Sequence, residues 1–170
     1  MAVFTLVHVL ISLIGIATGL VVLFGMIRSQ RLDSWTAVFL ATTVATSVTG
    51  FLFPFNGVTP GIIVGILSIA VLAPAIYGRY SKGMQGGWRK VYTIGSVIAL
   101  YFNVFVLIVQ SFQKVPVLNA LAPTGTEPPF AVAQGITLVA FVVLGTMAVK
   151  RFREPVSTQT QTARSASAGR

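Results

Sequence analysis

Five apolar runs alternate with short connections in this chain, and the cations fall in every second connection. A helix rises about 1.5 Å per residue and the hydrocarbon core of a bilayer is about 30 Å thick, so about 20 apolar residues can span it. The runs cover about residues 3–27, 35–55, 60–80, 91–112 and 130–149. Of the twelve Lys and Arg, all but Lys114 follow the first, third or fifth run. Cytoplasmic connections collect Lys and Arg. The expected fold is therefore an all-α integral membrane protein with five transmembrane helices, N-terminus outside and C-terminus in the cytoplasm.

Composition supports the same solvent. The chain is 55% hydrophobic and 9% charged, where soluble domains carry about 25% charged residues. A net charge of +9 would suggest nucleic acid in a soluble domain. Here the cations sit in short segments between apolar runs, where they set orientation and meet anionic lipid heads, so no nucleic-acid partner is expected.

The first run is expected to persist as a helix, because no Lys or Arg precedes it and Arg28 and Arg31 follow it. Residues 1–153 form the expected bundle, and residues 154–170, rich in Ser, Thr, Gln and Ala, read as a disordered cytoplasmic tail. Between the last two runs, Val115 to Phe130 holds four Pro and the acid Glu127; its VLNAL stretch suits a short interfacial turn of helix. Asp33 or Ser34 is placed to cap the second helix, and Pro74 to disturb the third.

Small residues four apart let membrane helices approach closely. Gly15 with Gly19 and Gly61 with Gly65 make two such faces, suited to a partner membrane protein or to a second copy of the chain. The fourth run carries a polar stripe. Ser96, Asn103 and Gln110 are spaced by seven and stack on one side of a helix, with Tyr92 and Lys114 extending it. The expected orientation brings His8, Thr49, Gln110 and Gln134 to a similar depth in the outer half, with Asn103 near the midplane. These five residues form the candidate site, as a ligand pocket or as a helix-packing seam.

Much chemistry is excluded. Without Cys there are no disulfides, thiolate nucleophiles or iron–sulfur clusters, and one His with three acids leaves too few ligands for most metal centres. No Ser-His-acid set and no phosphate loop is present. No acid lies within a span, which weakens a proton-coupled carrier. No cofactor is expected; haem or quinone held through His8 and Gln110 is an alternative.

The segments WTAVFLATTVATSVTGFLFPF and ALYFNVFVLIVQSFQKVPVLNALAPT resemble parts of small bacterial multi-pass membrane proteins that carry no assigned function. The resemblance runs through most of residues 5 to 152. It implies a bacterial inner-membrane setting and no particular activity. The leading expectation is a non-enzymatic membrane component that binds a partner helix or a small apolar ligand in the outer half. A small transporter or channel subunit and a redox subunit binding quinone or haem are the alternatives.

Overall fold

A computed structural model describes residues 2–54 and 60–153. The tail at 154–170 and the 55–59 connection lie outside the described residues. Six helices follow in order: α1 (Ala2–Ile27), α2 (Asp33–Gly50), α3 (Pro60–Tyr80), α4 (Trp88–Lys114), the short α5 (Pro116–Leu121) and α6 (Pro128–Arg151). There is no strand among the described residues. Four helices, α1, α3, α4 and α6, are long and apolar enough to cross a membrane. The eighteen-residue α2 is more polar, with five Thr, two Ser and Asp33.

Local chemistry explains the helix ends. α1 closes with the amide of Gln30 donating to Gly25 O and that of Ser29 to Met26 O, while Ser29 takes a positive φ of 56°. This is a Schellman closure, with Ser where Gly is usual. The helical part of the second run stops at Gly50, short of Phe55. Phe51 and Leu52 bond three residues back instead of four, and Pro54 disfavours helical backbone at the residue before it. α3 continues through Pro74. The VLNAL stretch does form a turn of helix, α5, with Pro116 at its start.

Two hairpins, α1–α2 and α3–α4, pack side by side, and α6 lies against α1 and α4. Glycine sets the spacing inside each hairpin. A Cβ at Gly95 would sit 2.7 Å from the Val71 carbonyl oxygen and 2.8 Å from Ala75 Cβ, so α4 rests directly on α3 there. At Gly19 a Cβ would meet Leu100 and Phe39, and at Gly15 Thr42, Thr43 and Asn103. The Gly15–Gly19 face is therefore filled from within by α2 and α4. Gly65 packs against the Phe51 ring, and Gly61 is exposed.

The cation-bearing segments meet at one end of the bundle. Asp33 at the start of α2 pairs with Arg79 near the end of α3. Ser29 Oγ accepts from Arg153 N at 3.0 Å, tying the α1–α2 turn to the end of α6. Tyr92 at the start of α4 packs on Phe152. At the opposite end Phe4 meets Phe53 and Phe112 meets Phe130.

Burial is uneven between the two ends. On α1 the buried residues begin at Gly15 and continue to Met26; on α4 they run from Tyr92 to Leu100, followed only by Phe112. The tight core of Leu23, Met26, Phe39, Leu72, Tyr92 and Leu100 thus lies toward the cation end. The first half of α1 and the second half of α4 are half-buried or exposed apart from Phe112.

Candidate functional site

The five candidate residues separate into three interhelical contacts and one free amide. His8 Nδ1 lies 2.8 Å from Thr49 Oγ1, joining α1 to α2. The Thr49 hydroxyl itself donates to Ala45 O at 2.7 Å. A hydroxyl has one proton to give, so the Thr49 oxygen accepts from His8 Nδ1–H, leaving Nε2 as an acceptor. The imidazole and the Phe53 ring stand nearly perpendicular, 5.0 Å between centroids.

Asn103 Nδ2 donates to Thr43 Oγ1 at 3.3 Å, joining α4 to α2 beside Gly15. The bare backbone of Gly15 makes room for this pair. Gln134 Nε2 donates to Phe105 O at 3.2 Å, joining α6 to α4, while its Oε1 is buried with no partner among the described residues. Gln110 is exposed and makes no hydrogen bond to a described residue.

Three of the seven hydroxyls of α2 turn back on their own helix. Thr42 donates to Val38 O, Ser47 to Thr43 O and Thr49 to Ala45 O. Such back-bonding satisfies the hydroxyl without a ligand. At this end the arrangement joins helices: each bond links a different pair and none converges on a common point.

A second constellation lies at the cation end, where sequence reasoning saw only orientation signals. Arg79 is 4% exposed. Its guanidinium pairs with the Asp33 carboxylate, lies 4.9 Å over the Tyr92 ring and approaches Met84 Sδ. The Asp33 carboxylate also receives Arg31 Nε at 3.0 Å. Tyr92 OH donates weakly to Thr36 Oγ1 at 3.4 Å. Asp33 is thus an ion-pair partner for two arginines, and α2 begins without a side-chain cap. The signal was present in the sequence. A buried guanidinium needs a carboxylate, and Asp33 is the one acid before residue 127.

Glu127 caps a tight turn. Its carboxylate accepts from Thr124 N, Thr124 Oγ1 and Thr126 N, all within 3.0 Å. These bonds, those from Thr124 foremost, lower its pKa to about 2. No group of three or more His, Cys, Asp or Glu that could hold a metal exists among the described residues. No protein-family model, curated protein or solved structure matches the chain.

Proposed function

We propose that this chain is a non-enzymatic, five-span component of a bacterial inner membrane, N-terminus outside and C-terminus cytoplasmic, that receives a partner transmembrane helix in the outer half. The observation that carries the reading is the uneven packing. Burial is dense at the cation end and thin along the first half of α1 and the second half of α4. The thin half also presents the exposed Gln110, and the buried Gln134 Oε1 there has no partner among the described residues. Amides facing lipid are costly, and in membrane helices they join neighbouring helices.

Two features support α2 as the fifth span. Its eighteen residues reach about 27 Å at the rise of a helix. Three of its seven hydroxyls, on Thr42, Ser47 and Thr49, are satisfied by its own carbonyls, which lowers their cost in lipid. The same back-bonding weighs against the transporter reading at Thr42, Ser47 and Thr49, whose hydroxyls are already committed. Burial of the Gly15–Gly19 face inside the chain moves the expected contact to the α4 surface around Gln110.

The absence of Cys makes the test clean. A single thiol introduced as Gln110→Cys is expected to form a disulfide or bismaleimide adduct of higher mass in native membranes, with a second copy or another protein. A thiol introduced as Val139→Cys, on an exposed face of α6, serves as the lipid-facing control. If the thiol at 110 is alkylated by a lipid-soluble reagent but yields no adduct, the partner-helix reading is wrong.

A further inference from the structure

The charges at the cation end are divided unequally. Asp33 takes Arg31 and Arg79, the ion pairs found among the described residues. That leaves Arg89 and Lys90 at the start of α4, and Lys150 and Arg153 at the end of α6, without an acid partner among the described residues. These four cations line one open cavity of about 630 Å³, together with Met84 and Gly86 of the α3–α4 turn. Like charges around a shared cavity repel, and an anion placed among them removes that repulsion.

The cavity continues into an apolar groove. A second space of about 410 Å³ runs between α4 and α6, walled by Ile94, Ile98, Tyr101, Leu138 and Val142 among others. Val149 and Lys150 line both spaces, so the basic mouth opens onto the groove. From Lys150 to Leu138 along α6 is about 18 Å at the rise of a helix. That is close to half the hydrocarbon thickness of a bilayer, about 15 Å. A ligand fitting both parts has an anionic head and an acyl chain reaching to mid-membrane.

We propose that this basic mouth and the α4–α6 groove bind one anionic phospholipid, its phosphate among Arg89, Lys90, Lys150 and Arg153 and one acyl chain along the groove. Basic clefts between membrane helices take such headgroups at the cytoplasmic side. The site differs in position and chemistry from the Gln110 face, which lies near the opposite end of α4.

The full-length protein, reconstituted in vesicles of equal parts phosphatidylglycerol and phosphatidylcholine, extracted gently and weighed by native mass spectrometry, tests the site. Phosphatidylglycerol is expected to remain bound well above its share of the mixture. Lys150→Gln and Arg153→Gln are expected to lower that preference by about fivefold for each charge removed. Lys90→Arg with Lys150→Arg keeps the charge and is expected to keep the preference. Val142→Trp adds bulk in the groove at an exposed position and is expected to lower bound phosphatidylglycerol with every cation in place. Retention in the bulk ratio by the unaltered protein overturns the proposal. So does full retention by Val142→Trp, which would show surface attraction without a groove. Circular dichroism and a single elution peak confirm that each variant folds.

Discussion

The guanidinium of Arg79 is buried at the cation end of the bundle, and the carboxylate that balances it, Asp33, is 64% exposed. The pair ties α2 to α3 across a gap in sequence of 46 residues. Breaking a fully buried pair costs about 3–5 kcal/mol because one charge is left uncompensated. Here the exposed partner is screened by solvent, and a smaller loss, about 2 kcal/mol, is expected for Asp33→Asn. Arg79→Met added to Asp33→Asn removes the stranded charge and is expected to recover most of that loss. Unfolding in mixed micelles measures both. If the double variant is no more stable than Asp33→Asn, the cost does not come from the uncompensated guanidinium.

Gly95 bears on the α3–α4 hairpin in the same way. A Cβ there would press on backbone and on Ala75 Cβ, not on a flexible chain end. The two helices must part to admit it. Gly95→Ala is expected to destabilise the protein by about 1–3 kcal/mol, the usual cost of overpacking. Gly135→Ala is the internal control, since nothing lies within 4 Å of a Cβ at that position. Its effect is expected within about 0.5 kcal/mol. Equal effects at the two positions would show that the close approach of α3 and α4 does not bear on stability.

What the sequence disclosed and what it hid divide along physical lines. Apolar length is a property of one segment at a time, so the helical character and the four long apolar helices could be read directly. Partners across helices could not. Gln110 and Gln134 share a depth and could have bonded each other, yet Gln134 donates to the Phe105 carbonyl and Gln110 stays exposed. Gly95 and Gly78 matter because of what lies opposite, Val71 and Trp88, and no spacing within α3 or α4 reveals that. Arg79 looked like one more orientation charge because burial is decided by the neighbours. The stripe Ser96–Asn103–Gln110 also changes character along its length: Ser96 is in the tight core, Asn103 bonds α2, and Gln110 is free.

The Glu127 turn gives a pH-dependent element outside the helices. Its carboxylate is held at a pKa of about 2, against 4.5 for an ordinary Glu, by the amides of Thr124 and Thr126 and the Thr124 hydroxyl. The folded pKa is the depressed one. The turn's extra order is therefore fully present above about pH 4.5, fades as pH falls below it, and is gone once pH passes through about 2. A carbon-13 titration of the Glu127 carboxyl is expected to give a midpoint near the lower value. Glu127→Gln should loosen the turn wherever the carboxylate is ionised, above about pH 2, seen as faster amide exchange at Thr124 and Thr126. A midpoint at or above the ordinary value would mean that these bonds do not persist.

Asn103 and Thr43 form a polar link between helices where α4 crosses α2 beside Gly15. Thr43 is fully buried, so its hydroxyl has no water to replace a lost donor. Hydrogen bonds between membrane helices average about 0.6 kcal/mol in coupling and reach about 1.7. At 3.3 Å this bond belongs near the average. Asn103→Leu and Thr43→Val are each expected to cost about 1 kcal/mol, with a coupling of about 0.6 kcal/mol in the double-mutant cycle. Because the link is structural in the proposed function, neither change is expected to reduce the adduct formed through a thiol at position 110. Loss of that adduct at unchanged stability would move Asn103 from the helix seam into the partner site.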